Sequence, residues 1–85
     1  MNTTHELKTW PDVFQEIIEG KKVHEFRKND RGFTVGDHLH LREFNPVGER
    51  YTGRSVQAII ISISYGPEWG IPNGFVAMSI KVLKG

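Results

Sequence analysis

Apolar and polar residues alternate with a period of two along most of this chain, and in one short stretch the period lengthens to that of a helix. Residues 4–9 set His5, Leu7 and Thr9 on one face and Glu6 and Lys8 on the other, as a strand does. Residues 12–19 break the alternation, because Val13, Phe14, Ile17 and Ile18 recur at helical spacing. Thr9 is the N-cap that this pattern predicts, Pro11 is tolerated in the first turn, and Asp12 complements the helix dipole. Gly20 supplies the C-terminal stop.

Strand spacing returns over residues 23–28, with Val23, Glu25 and Arg27 on one side and His24, Phe26 and Lys28 on the other. That placement predicts a half-buried His24 beside Phe26. Turn chemistry at Asn29-Asp30-Arg31-Gly32 and at Gly36-Asp37 leads into residues 38–44. There Leu39 and Leu41 face inward while His38, His40 and Arg42 face out. Asn45-Pro46-Val47-Gly48 reads as a hairpin tip that extends as far as Gly53. A long β-branched run follows over 55–65, then a loop with two prolines and three glycines over 66–74, then a closing strand over 75–83.

The predicted order is β-α-β-β-β-β: a mostly β (α+β) chain of about five strands, with one helix after the first. Its 85 residues suffice for one domain, residues 1–85. A sheet this small is expected to close into a barrel, since closure removes exposed edges, with the helix across one opening.

Composition narrows the chemistry. There is no cysteine, so neither disulfides nor thiolate metal sites reinforce the fold, and it must hold on apolar packing. The first ten residues have no apolar leader, and the longest apolar run, residues 58–61, is far short of a membrane span. A cytoplasmic protein without a membrane partner is expected. The net charge of +1 makes no case for nucleic acid, but charge is unevenly spread. Lys21, Lys22, Arg27, Lys28 and Arg31 outweigh Glu25 and Asp30 within residues 21–31, and a local basic segment can hold phosphate on a nearly neutral protein.

Several strings carry a further signal: His5-Glu6-Leu7-Lys8-Thr9-Trp10; Gly20-Lys21-Lys22; Glu25-Phe26-Arg27-Lys28-Asn29-Asp30-Arg31; Phe33-Thr34-Val35-Gly36-Asp37; and Leu39-x-Leu41-x-Glu43-Phe44. Together they resemble a family of short bacterial and phage proteins in the ASCH/PUA-like superfamily. The resemblance runs from about Thr4 to Leu83. It implies a small PUA-like β-barrel and an RNA-binding role; composition shows neither.

Within this frame, Glu25 and Arg27 share a strand face, and Lys22 lies at the helix exit just before them. Lys8 lies on the first strand, which can pair alongside. Lys8, Lys22, Glu25 and Arg27 are therefore the expected core of an RNA or nucleotide site, Arg27 giving a planar two-pronged grip. The competing reading is a plain ion pair at the barrel rim. Lys28 and Arg31 are expected to track phosphate, as Arg42, Arg50 and Arg54 could. Trp69, in a Gly/Pro loop, is the expected stacking platform, while Trp10 is read as a core or lid residue. His38 and His40 share a face, but no third ligand follows at metal-site spacing, so no metal and no cofactor are expected.

An enzyme reading stands beside the binding one. Some small ASCH proteins resembling this chain are amidohydrolases of N4-acylated cytidine that use a lysine, a threonine and a glutamate. Their lysine matches Lys22; their threonine falls where this chain has Glu25; their glutamate lies in an insertion that here shrinks to residues 66–74, with Glu68 its one acid. Lys22 with Glu25 could then activate water at most. A third reading, a protein-interaction module, calls for a flat exposed patch over residues 59–63.

Overall fold

The computed structural model describes residues 2–83. The elements are β1 (Thr4–Thr9), α1 (Pro11–Ile18), β2 (His24–Lys28), β3 (His38–Asn45), β4 (Arg50–Tyr65) and β5 (Phe75–Leu83). A single turn of 3-10 helix, Glu68–Gly70, interrupts the β4–β5 connection. The predicted β-α-β-β-β-β order holds.

All five strands form one sheet in the order β1-β3-β4-β5-β2. Only the β1–β3 pair is parallel, and the other three pairs are antiparallel. β4 is long enough to serve two partners: its first part pairs with β3, its second with β5, and residues 57–59 pair with both. Register shifts at Arg42/Phe44 and at Ile60/Ser62 bend these ladders, as bulges do, and the sheet curls into a half-barrel.

The inward row of each strand supplies the core: Leu7, Leu39, Leu41, Ala58, Ile60, Val76, Met78 and Ile80 are all buried. Phe14 and Ile17 from α1 are buried as well, and Phe33 packs in from the β2–β3 loop. That loop is tied to β1 by Asp37. Its carboxylate accepts from the backbone N–H of Thr3 and of Thr34, and lies 2.8 Å from His5 Nε2. Burial pushes the Asp37 carboxyl up, but the His5 hydrogen bond and the two N–H donors hold it below its ordinary value.

The structure departs from the sequence reading at four places. Thr9 is not an N-cap: alternation continues through it, it pairs with Glu43, and its side chain turns inward, so Trp10 takes the cap position with no side-chain cap bond. β4 begins at Arg50 rather than 55, because the tip closes at the Asn45–Arg50 pair and Gly53 lies within the strand. His24 is exposed, since the face it shares with Phe26 is the outer one. Closure by backbone is the fourth. β1 and β2 end the sheet and are not neighbours in it.

Arginine side chains bridge that open seam. Arg27 Nη2 donates to the Lys8 carbonyl at 2.7 Å, and Arg31 Nη1 donates to the Glu6 carbonyl at 2.6 Å. Two carbonyls on the free edge of β1 thus have donors although no strand lies against them. Of residues 59–63, Ile60 is buried, Ile59 and Ile63 are half-buried and Ile61 is exposed.

Candidate functional site

The seam leaves a pocket of about 390 Å³, within the range of small-molecule sites. One wall comes from the end of β1 and the start of α1, with Lys8, Thr9, Trp10 and Val13; the other comes from Lys22 and β2, with Glu25, Phe26 and Arg27. Strand alternation explains the second wall. Glu25 and Arg27, two apart on β2, turn to the inner side, and Glu25 is only 5% exposed.

Arg27 organises the site. Its Nε donates to Glu25 Oε2 at 2.8 Å while its Nη2 holds the Lys8 carbonyl, so one guanidinium spans the seam. A buried carboxylate without such a partner would be costly, and this pairing is what allows Glu25 to face the cavity. The fork expected to grip a ligand is therefore engaged within the protein. Lys22 takes part in no ion pair among the described residues, which leaves its ammonium available to an anion.

Four of the expected residues, Lys8, Lys22, Glu25 and Arg27, meet at this pocket. Lys8 contributes mainly backbone, since its ammonium sits 4.5 Å from the Phe44 ring centroid. Lys28 is exposed at the end of β2 and Arg31 is engaged with Glu6; neither lines the pocket. Trp69 is 85% exposed on the 3-10 turn and away from it. The indole at the pocket is Trp10, 55% exposed.

Thr9 also belongs to the site, which its reading as an N-cap does not anticipate. It is 2% exposed, lines the pocket, and its hydroxyl has no hydrogen-bond partner among the described residues. The signal lies in the alternation of β1, which turns every second side chain through Thr9 inward. The other buried carboxylate on the inner face, Glu43, accepts from Thr52 Oγ1 at 2.7 Å and has Arg54 Nε 3.7 Å away. No cluster of three or more His, Cys, Asp or Glu that could hold a metal occurs among the described residues, and His40 instead faces Glu6. No helix among them is long and apolar enough to cross a membrane.

A family model described as "Domain of unknown function (DUF3850)" matches residues 4–80, every pocket residue included. The chain belongs to the DUF3850 family. It is also 41% identical over 69 residues to the "Uncharacterized 12.9 kDa protein in GpA 3'region" of Escherichia phage P2. That stretch covers 81% of this chain and 62% of the phage protein, so this DUF3850 chain spans about three fifths of the relative's length. DUF3850 therefore includes, in this chain, a half-barrel whose seam pocket lies wholly within the matched segment.

Proposed function

We propose that the seam pocket binds a nucleotide unit, free or within RNA, and that the half-barrel is of the PUA-like, ASCH type. The superfamily reading rests on the sequence strings from His5 to Phe44 and agrees with a curled five-stranded sheet carrying one helix after β1. The nucleotide reading rests on one observation: an unpaired lysine and an exposed indole flank a pocket whose inner wall carries a buried carboxylate. Lys22 neutralises phosphate, Trp10 offers a face for base stacking, and Glu25 accepts from a polar edge of the ligand.

Hydrolysis ranks second. Lys22, Glu25 and a threonine do meet here, but the threonine is Thr9. Its hydroxyl bonds to neither Lys22 nor Glu25, whereas an activated nucleophile needs a base within hydrogen-bond reach.

The test is calorimetric titration of the full chain with short single-stranded RNA and with nucleoside monophosphates at two salt concentrations. Binding should weaken with salt. Lys22→Ala should reduce the dependence of log K on log salt by about 0.7, one phosphate contact on a single strand, without lowering the melting temperature. Unchanged binding in Lys22→Ala would remove the site. Release of cytidine from N4-acetylcytidine would promote the hydrolytic reading instead.

A further inference from the structure

The chain leaves α1 through Gly20, whose φ of 76° lies in the region that favours glycine. The N–H groups of Lys21 and Lys22 then donate back to the Glu16 carbonyl at 2.9 and 3.1 Å. One residue on, the Val23 carbonyl accepts from the Ile80 N–H at 2.9 Å, which fastens the helix exit to β5. Between the end of the helix and that strand lies another cavity, of about 310 Å³. Ile17 and Ile80, both buried, and Ile18, Val23 and Val82, all partly exposed, form its apolar lining. No aromatic ring is among the lining residues.

Three charged residues border this groove: Glu19, Lys22 and Lys81. Both carboxylate oxygens of Glu19 are engaged, one by Gln15 at 2.8 Å and the other by Lys21 at 3.2 Å. Lys22 and Lys81 form no ion pair among the described residues. The charge left for a ligand is therefore positive, and it stands beside an aliphatic wall.

We propose that this groove binds a small aliphatic anion, its chain against Ile18, Val23 and Val82 and its carboxylate or phosphate head toward Lys22 and Lys81. The proposal does not depend on the nucleotide reading, because a base needs a ring to stack on and this lining has none. A second copy of the chain fits the groove less well. A stable interface buries about 800 Å² on each side, whereas Ile18 and Val23 are the two exposed apolar side chains that border this cavity. The volume lies at the lower end for small-molecule sites, which suits a short chain. Each methylene that leaves water there should tighten binding by up to about 4-fold.

The test is nitrogen–proton correlation spectroscopy of the full chain titrated with butanoate, octanoate, octyl phosphate and octylamine. Octanoate and octyl phosphate should shift the amides of residues 17–23 and 80–82 and leave the Trp10 indole N–H in place; the tighter of the two names the head group. Octanoate should bind at least about 10-fold more tightly than butanoate, and octylamine at least about 10-fold more weakly than octanoate, since its cation meets two lysines. Lys81→Ala and Val23→Asp are the variants, because both residues line this groove alone while Lys22 is shared with the seam pocket. Lys81→Ala should weaken octanoate roughly 2- to 5-fold, the range of an exposed ion pair. Val23→Asp should weaken it by at least about 10-fold through like charge. Val23 is 57% exposed, so the melting temperature should stay near that of wild type. If Val23→Asp fails to fold, Lys81→Ala decides. Octylamine binding as tightly as octanoate, an affinity that does not rise with chain length, or unchanged affinity in Lys81→Ala overturns the proposal. So does the absence of any shift, or shifts centred on Trp10, which would put the anion in the seam pocket. Movement of the same amides with protein concentration alone would assign the groove to a second copy and overturn it too.

Discussion

Replacing Arg27 by methionine keeps much of the aliphatic stem and removes the guanidinium that bridges the seam. Two hydrogen bonds go with it, to Glu25 Oε2 at 2.8 Å and to the Lys8 carbonyl at 2.7 Å. The larger effect falls on Glu25, whose side chain is 5% exposed and would be left as a carboxylate without its cation. Removing one partner of a charge-assisted bond so that the other stays buried costs about 1–3 kcal/mol, and the carbonyl bond adds roughly 1 kcal/mol. Arg27 is itself 31% exposed, so water repays part of this, and about 2–3 kcal/mol is the expected net loss. For a domain of this size each kcal/mol moves the melting temperature by roughly 4–8 °C, which gives a drop of about 8–24 °C. Circular dichroism melts measure it, with Arg31→Ala as the comparison. Arg31 makes a single bond from an exposed position, and its loss should shift the melt by only a few degrees. A second comparison is Glu25→Gln combined with Arg27→Met, which should cost less than the two single changes added together because the stranded charge is gone. An Arg27→Met melt within about 3 °C of wild type would show that the guanidinium does not hold the seam, and the account of why Glu25 can face the pocket would fall with it.

Two further expectations concern the frame around the site. Asp37 has a carboxyl held below its unfolded value, so its contribution to stability is complete above the unfolded value near pH 4. That contribution is lost as pH falls through the lower folded value. Urea midpoints of wild type and Asp37→Asn should differ at pH 6 and converge toward pH 3; a gap of constant size would mean that the carboxylate is not the group responsible. Gly66 meets the chain closely, since a Cβ there would lie 1.9 Å from the Pro72 carbonyl oxygen. Because the obstacle is backbone, Gly66→Ala should destabilise by at least about 2 kcal/mol in a denaturant titration, and a wild-type midpoint would mean that the 66–74 loop is free to move aside.

Periodicity along the chain was enough to place all five strands and the helix. The alternation of Leu7, Leu39, Leu41, Val76 and Met78 with polar neighbours fixes which face is buried whatever the strand order, because a side chain two residues on must share its face. It also brought Glu25 and Arg27 to one side, and Gly20 marked the helix end. Lys22, at the helix exit, lines the pocket with them.

Tertiary structure decided what local rules could not. Thr9 satisfies the composition of an N-cap and the alternation of a strand equally well; only its pairing with Glu43 selects the strand and turns its hydroxyl inward. Trp10 and Trp69 are both indoles near turns, and nothing in their flanking residues tells which faces a cavity. Whether the sheet closes depends on the order β1-β3-β4-β5-β2, set by contacts between strands far apart in sequence. That order leaves β1 and β2 facing each other unpaired, with an arginine side chain rather than a peptide ladder across the gap. The pocket exists because of this. Residue types along a chain specify which groups can interact, but the distance between two sheet edges is a property of the whole assembled sheet.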